Sequence, residues 1–144
     1  MFKKILVAID GSEQSLKAVD SALELAQKVD SEIMFLEVVP PIPAFGTYKK
    51  ALEHTIHERD EKMIAEARET IANSAKKFDE LHIPYKSKVV IGDPAEQICL
   101  IAEEEHISLI IMGTLGKTGI TRFLMGSVSS KVVAHAHCSV LLTR

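Results

Sequence analysis

The residues with the clearest capacity for chemistry lie in one glycine-rich segment, from Leu109 to Val128. An apolar run ends at Gly113, and a long loop then leads to Gly126, directly before a predicted helix. Glycine lets the backbone approach a ligand closely, and the first N–H groups of a helix are unpaired and carry partial positive charge. Because Lys117 and Arg122 add full positive charges to the loop, we interpret this segment as one that holds the phosphates of a nucleotide.

Two familiar phosphate motifs do not fit this segment. Gly116-Lys117-Thr118 is similar to the end of a P-loop, but that motif also requires a glycine where Ile111 lies, within the predicted strand. A dinucleotide-binding G-x-G-x-x-G pattern requires a glycine where Leu115 lies, and it belongs on the first strand-to-helix turn of its fold. Both motifs are therefore excluded.

The spacing that does fit is Gly113-x2-Gly116-x9-Gly126-Ser127, directly after an apolar strand. It resembles the ATP-binding signature of the universal stress protein family, and it is far more specific than an isolated pair of glycines. The resemblance covers the whole chain, from Ile5-Leu-Val-Ala-Ile-Asp10-Gly-Ser12 to Ser139-Val-Leu-Leu-Thr143. One departure is Ala8, where ATP-binding relatives often carry proline. The alternative is that the glycines only shape a tight surface loop.

Length and composition are typical of one folded domain, residues 1–144. The chain has 47% hydrophobic and 26% charged residues, which is sufficient for a substantial core. Its net charge of −3, without a basic face or arm, argues against nucleic-acid binding. No apolar run approaches the roughly 20 residues that span a membrane, so we expect no membrane association. Cys99 and Cys138 lack a metal-binding or redox spacing, which favours free thiols and a cytoplasmic location.

Apolar strands and amphipathic helices alternate along the chain, which predicts an α/β fold with a parallel sheet. The predicted strands are residues 5–9, 33–39, 85–91, 109–112 and 140–143. About four helices connect them, and one long helix is predicted over residues 47–83 because that stretch contains no Gly or Pro before its end. Ser12 is a predicted N-cap, and Asp93-Pro94 with Glu96 is a predicted helix start with a capping box.

The family resemblance implies a doubly wound, Rossmann-like sheet of the adenine nucleotide alpha-hydrolase-like type, with strand order 3-2-1-4-5. In such a sheet, ligands bind outside the carboxyl ends of the strands where the strand order reverses, here between the first and fourth strands. Asp10 follows the first strand and Gly113 follows the fourth. The implied topology and the glycine segment therefore indicate the same crevice.

The resemblance also implies roles for individual residues of this crevice. Asp10 would accept hydrogen bonds from the ribose hydroxyls, although an Asp-Gly pair also forms turns for purely structural reasons. Val38 matches the position whose backbone contacts adenine, and Ala8 and Ile9 would line the sugar and the base. Met112 would lie with Gly113 beneath the ribose and phosphates. The phosphate donors, through backbone N–H groups and hydroxyls, would be Gly116, Gly126, Ser127, Val128 and Ser129.

Neither a protein metal site nor a catalytic base is predicted. Mg²⁺ would bind through the phosphates of ATP and through water, because this hard cation needs few protein ligands at a nucleotide. His54 and His57 lie one helical turn apart, but this is not the zinc-binding H-E-x-x-H spacing, and a solvated helix face explains them. His135 and His137 are explained by the favourable position of histidine near a helix C-terminus.

The sequence therefore predicts an ATP-binding protein that acts as a nucleotide-dependent regulatory or protective module in the stress response. One alternative is a weak ATPase or nucleotide-processing enzyme, which would lose turnover but keep ATP binding in a Ser127→Ala variant. Another is an interaction module that acts without nucleotide, although the retained glycine motif argues against it. The apolar last strand, Val140 to Thr143, favours edge-to-edge pairing of two copies, and the resemblance implies the same homodimer.

Overall fold

The computed structural model describes residues 1–42, 49–114 and 125–144. Its strands are β1 (Lys4–Ala8), β2 (Glu32–Val39), β3 (Tyr85–Ile91), β4 (Leu109–Gly113) and β5 (Ser139–Thr143). Within the described ranges these strands form one parallel sheet in the order β3-β2-β1-β4-β5. The α/β class, the parallel sheet and the strand order 3-2-1-4-5 are confirmed, and β3 is an edge strand. Each strand lies within one residue of its predicted bounds.

The described helices are α1 (Glu13–Lys28), α2 (Lys49–Ser74), α3 (Lys76–Glu80), α4 (Pro94–Glu104) and α5 (Ser127–His135). Two predicted N-caps are present. Ser12 Oγ accepts the Ser15 N–H at 3.2 Å, and Asp93 Oδ1 accepts the Glu96 N–H at 3.0 Å. Each cap satisfies one of the N–H groups that a helix leaves unpaired in its first turn, so the starts of α1 and α4 are closed by their own side chains.

The prediction of one uninterrupted helix up to residue 83 is wrong, because the helix breaks at Ala75 and α3 ends at Glu80. At the break, the Phe78 N–H bonds to the Ala75 carbonyl at 2.9 Å, a tighter turn than that of an α-helix. After α3, His82 has a left-handed φ of 55°, and the Ile83 N–H bonds back to the Phe78 carbonyl. This is a Schellman-type ending. The described part of the chain thus contains five helices instead of about four.

Helices cover both faces of the sheet, and each face has its own apolar core. Phe35 and Ile111 belong to the core beneath α1, α2 and α3, whereas Leu36 and Ile110 belong to the core beneath α4 and α5. Burial on both sides explains why the central strands are continuous apolar runs in the sequence. Beneath α3, Phe78 lies edge-to-face with Phe35, with ring centroids 5.1 Å apart.

The strand order reverses between β1 and β4. The chain continues from β1 to β2 on one side, whereas β4 pairs with β1 on the other side, with Val7 opposite Ile111. Because the strands are parallel, β1 and β4 both end at the same end of the sheet, and their carboxyl ends lie side by side there. The residues that follow β1 and β4 therefore lie at the point where a sheet of this type has its ligand crevice.

Candidate functional site

The turn after β1 is held by its own groups. The Ile9 N–H bonds to the Leu36 carbonyl at 2.8 Å, which extends the sheet by one residue. Asp10 Oδ1 then accepts the Ser12 N–H at 2.8 Å, and Gly11 has a left-handed φ of 80°. Asp10 therefore has the turn-forming role that its pairing with glycine predicts. That bond involves Oδ1, and an ionised carboxylate carries a second oxygen that can accept hydrogen bonds from a ligand.

The end of β4 lies against the first turn of α1, and Gly113 makes this close approach possible. A Cβ atom at Gly113 would lie 2.5 Å from Gln14 Cβ and 3.0 Å from the Gln14 carbonyl carbon, well inside van der Waals contact. Glycine is the residue that fits here without displacement of α1. Thr143 Oγ1 also donates to the Gln14 carbonyl oxygen, at 3.1 Å. The ends of β4 and β5 and the start of α1 therefore meet beside the crevice.

Thr114, directly after β4, joins the two sides of the glycine segment. Its N–H donates to the Thr143 carbonyl at 2.9 Å, and its carbonyl accepts the Gly126 N–H at 2.7 Å. The same carbonyl accepts the Ser129 hydroxyl at 2.8 Å, and Thr114 and Ser129 are both buried. These bonds fix the start of α5 against the end of β4. They also engage the Gly126 N–H and the Ser129 hydroxyl, two groups that were predicted as phosphate donors.

The N-terminus of α5 retains donors for a ligand. Gly126 is its N-cap, and within the described part of the chain no side chain caps it. The first intrahelical bond runs from the Ser130 N–H to the Gly126 carbonyl at 3.0 Å, so the N–H groups of Ser127, Val128 and Ser129 have no partner within the helix. Ser127 is exposed and Val128 is half-buried. Such a helix end carries partial positive charge and is able to bind an anion.

The apolar residues of the predicted site lie on two faces of the sheet. Ala8, Val38 and Met112 belong to the core beneath α4 and α5, where Ala8 and Met112 are buried and Val38 is half-buried. Ile9 is buried on the opposite face, beneath α1. The structure therefore brings three of these four residues to one side of the crevice and directs Ile9 to the other.

Part of the predicted phosphate loop lies outside the described residues. Gly116, Lys117 and Arg122 belong to the segment 115–124, so their contribution stays a prediction. The described residues on either side of this segment are nevertheless adjacent, because the Gly126 N–H bonds to the Thr114 carbonyl.

Sequence reasoning missed Gln14, Thr114 and Thr143. Thr114 carries the hydrogen bonds that position α5, but no motif distinguishes it from other residues next to a glycine. The contact between Thr143 and Gln14 joins residues 129 positions apart, and a local pattern contains no signal for such a contact. The only available hint was that Thr114 lies just beyond one predicted strand and that Thr143 is the last residue of another.

The histidines and cysteines outside the candidate site have surroundings that need no functional explanation. Among the described residues, no group of three or more His, Cys, Asp or Glu side chains could hold a metal ion. His54 and His57 are exposed, and each contacts a glutamate one helical turn further on, at 3.0 and 3.1 Å. Cys99 and Cys138 are free and half-buried, and burial raises the pKa of both thiols.

None of the described helices is both long and apolar enough to cross a bilayer.

Fold and crevice together define a doubly wound, Rossmann-like α/β protein with a glycine-capped helix N-terminus at its switch point. The family model described as the universal stress protein family matches residues 1–144, and the chain belongs to this family.

Relatives of similar length support this assignment. The universal stress protein MJ0531 of Methanocaldococcus jannaschii is 34% identical over 144 residues, which cover 100% of this chain and 83% of that protein. The universal stress protein YxiE of Bacillus subtilis is 34% identical over 148 residues, with 100% of both chains covered. Among solved structures, the universal stress protein UspA from Lactobacillus plantarum is similar with a TM-score of 0.87 and 26% identity, over 99% of this chain and 98% of that chain.

Two more distant solved structures are complexes with nucleotides. The universal stress protein from Archaeoglobus fulgidus in complex with dAMP has a TM-score of 0.72 at 19% identity, over 99% of this chain and 98% of that chain. A universal stress protein family protein from Arabidopsis thaliana with AMP bound has a TM-score of 0.63 at 21% identity, over 98% of this chain and 90% of that chain. At these identities the likeness shows the fold alone, and the nucleotides belong to those two proteins.

Proposed function

We propose that this protein binds ATP in the crevice between β1 and β4 and acts in the cytoplasm as a nucleotide-dependent regulatory or protective module of the stress response. The observation that carries the proposal is the N-terminus of α5, which no side chain of the described residues caps and which Thr114 fixes beside the end of β4. Its first turn offers the N–H groups of Ser127, Val128 and Ser129, and the absence of a side chain at Gly126 leaves room for a phosphate. The dAMP and AMP complexes of two fold neighbours support an adenine nucleotide as the anion.

The rest of the crevice is compatible with the other parts of such a ligand. The Asp10 carboxylate accepts one internal hydrogen bond through Oδ1 and has a second oxygen suited to ribose hydroxyls. Ala8, Val38 and Met112 offer an apolar side for the base and sugar, as is usual in pockets that combine apolar walls with a few polar groups. In the sheet order, Val38 on β2, Asp10 after β1 and α5 after β4 follow one another. This order matches base, ribose and phosphates.

Calorimetric titration of nucleotide-free protein with ATP, with and without Mg²⁺, tests the proposal. Ser127→Asp adds a negative charge in the first turn of α5, where it favours the helix but repels a phosphate. Ser127→Asn is the matched control, because asparagine has nearly the same size as aspartate but carries no charge. We expect saturable binding in the wild type, affinity at least about tenfold weaker in Ser127→Asp than in Ser127→Asn, and no loss of thermal stability in the aspartate variant.

Two results would refute this assignment. If the wild type fails to bind ATP at millimolar concentration, the protein is better explained as an interaction module that acts without nucleotide. If Ser127→Asp and Ser127→Asn bind ATP equally well, the phosphates are not held by the first turn of α5. A comparison of ATP with AMP in the presence of Mg²⁺ tests the metal, since Mg²⁺ held by phosphates and water strengthens binding of the triphosphate more than that of the monophosphate.

We further infer that two copies of the chain pair through β5. The two edges of the sheet differ in chemistry: β3 carries Lys86 and Lys88, a common protection against strand pairing, whereas β5 contains no charged residue. Leu141 on β5 is 39% exposed. An uncharged edge with an exposed leucine supports a self-complementary interface about a two-fold axis.

Sedimentation velocity at micromolar concentration tests this homodimer. Leu141→Lys places a charge on the β5 edge, and Leu81→Lys makes the same change at an exposed leucine beyond α3, on the side of β3. We expect a dimer for the wild type and for Leu81→Lys, and a monomer for Leu141→Lys. A monomeric wild type, or a dimer that survives Leu141→Lys unchanged, would refute pairing through β5.

A further inference from the structure

Thr143 connects the edge strand β5 to the residues that position α5. Its carbonyl accepts the Thr114 N–H at 2.9 Å. Thr114 in turn holds Gly126 and Ser129 through its own carbonyl, at 2.7 and 2.8 Å. The end of β5 is therefore a single hydrogen bond away from the residue that fixes the N-terminus of α5.

The hydroxyl of Thr143 reaches the opposite side of the crevice. It donates to the Gln14 carbonyl at 3.1 Å, with the Met112 carbonyl at 3.4 Å. Gln14 lies in the first turn of α1, directly after the turn in which Asp10 binds the Ser12 N–H. Because α1 and Thr114 are both bonded to Thr143, Thr143 helps to fix the separation between Asp10 and the start of α5, together with the pairing of β1 and β4. A nucleotide in the proposed orientation must contact both of these ends at once.

β5 is an edge strand of the sheet. Among the described residues it pairs with β4 alone, and the end of an edge strand opens more easily than a central strand. Pairing with a second copy would add hydrogen bonds on the outer side of β5 and restrict its end. When two binding events require the same segment to be ordered, the first reduces the entropic cost of the second, which produces positive coupling.

We propose that Thr143 is a positioning residue through which ATP binding and the pairing of two β5 edges strengthen each other. This inference rests on the proposed function, and on both the nucleotide and the dimer in it. It adds a regulation of that site: the affinity for ATP depends on the oligomeric state. A site whose two ends were set only by the central strands β1 and β4 would not respond to β5.

Three variants separate the hydroxyl of Thr143 from the dimer. Thr143→Val keeps the shape of the side chain but removes the donor to the Gln14 carbonyl, whereas Thr143→Ser keeps the donor and serves as the matched control. Leu141→Lys blocks edge pairing without removing an internal contact of Thr143. Thermal unfolding of each variant establishes that it is folded before binding is measured.

The measurement is ATP affinity at protein concentrations below and above the dimer dissociation constant, together with sedimentation with and without saturating ATP. In the wild type and in Thr143→Ser, we expect the dimer to bind ATP at least about fivefold more tightly than the monomer, and ATP to strengthen the dimer, as thermodynamic linkage requires. Thr143→Val is expected to bind ATP about two- to tenfold more weakly, the net value of one hydrogen bond, and with no dependence on dimerisation. Leu141→Lys is expected to match the wild-type monomer.

Hydrogen exchange gives a readout that a purely structural role would not change. The Thr114 amide hydrogen is bonded to the Thr143 carbonyl, so its exchange in the wild type should slow when either ATP or the second copy binds. ATP affinity that is independent of dimerisation, or equal behaviour of Thr143→Val and Thr143→Ser, would overturn the inference and leave the proposed function intact. A wild type that does not bind ATP, or that never dimerises, would overturn the proposed function and this inference with it.

Discussion

A Gly113→Ala substitution would place one methyl group between the end of β4 and the first turn of α1. The new Cβ atom would lie 2.5 Å from Gln14 Cβ, whereas carbon atoms in favourable contact are about 3.5–4.0 Å apart. The two elements must therefore separate by about 1 Å, at the point where Thr143 also binds the Gln14 carbonyl. Overpacking of this kind typically costs about 1–3 kcal/mol, which lowers the melting temperature by about 3 °C for each kcal/mol in a chain of this size.

A double-mutant cycle with Gln14→Gly identifies the cause of that cost. Gln14→Gly removes the atom that the new methyl group would meet, and by itself it costs up to about 1 kcal/mol in helix propensity. The second close contact, 3.0 Å to the Gln14 carbonyl carbon, remains, so relief is partial. In urea unfolding followed by circular dichroism, we expect the double variant to be more stable than the sum of the single effects by about 1 kcal/mol. Additive effects, or a Gly113→Ala variant within about 0.5 kcal/mol of the wild type, would refute the packing argument.

Three further predictions concern the core, a helix end and the thiols. Phe78→Ala should lower the free energy of unfolding by about 3–5 kcal/mol, because this fully buried ring packs edge-to-face on Phe35. A loss of stability below about 1 kcal/mol in urea unfolding would contradict this prediction. His106→Gly should stabilise by about 0.5–1 kcal/mol, because His106 has a left-handed φ of 55° after α4, and His106→Ala, its control, should show no gain. At pH 7.5, Cys99 and Cys138 should react with iodoacetamide more slowly in the folded protein than in urea, because burial raises the pKa of both thiols. Their reaction in the folded protein should become faster as the pH rises. Equal rates in the folded and the urea-unfolded protein, measured by mass spectrometry, would exclude that effect.

The fold was predictable wherever one local signal and the tertiary structure agree. The apolar runs that became the central strands are buried on both faces, and Asp93 caps its helix as the local motif requires. The prediction was wrong after Ala75, where the helix breaks without a Gly or Pro. The short helix α3 that follows then ends in a left-handed conformation at His82, which histidine adopts at a cost that the surrounding contacts offset. A search for glycine as the signal of a helix end necessarily passes over such a position.

The candidate site was predictable as a location more than as a set of contacts. Asp10 and Gly113 were assigned to one crevice from their positions after two strands. The observed strand order makes those two strands neighbours, and the binding site itself stays a prediction. The hydrogen-bond partner of a hydroxyl could not be predicted in the same way, because it depends on which acceptor lies nearest after folding. The Ser129 hydroxyl meets the Thr114 carbonyl, and the Thr143 hydroxyl meets Gln14 across 129 positions of sequence. Such contacts follow from the packed structure and from no local pattern.

The choice of glycine at the N-cap of α5 has a physical reason of its own. α1 and α4 begin with Ser12 and Asp93, whose side chains occupy first-turn N–H groups, whereas α5 begins with Gly126 and has no such cap among the described residues. Glycine is only a few tenths of a kcal/mol less favourable than serine or aspartate at an N-cap, so the helix loses little stability. What it gains is a first turn whose donors are not already bonded to a neighbouring side chain. The Thr114 carbonyl takes up the Gly126 N–H and the Ser129 hydroxyl. Within the described residues, the first turn then still offers the backbone N–H groups of Ser127, Val128 and Ser129 and the Ser127 hydroxyl. The direction of these N–H groups is set by α5 as a whole, so they can face an anion without any side-chain rearrangement.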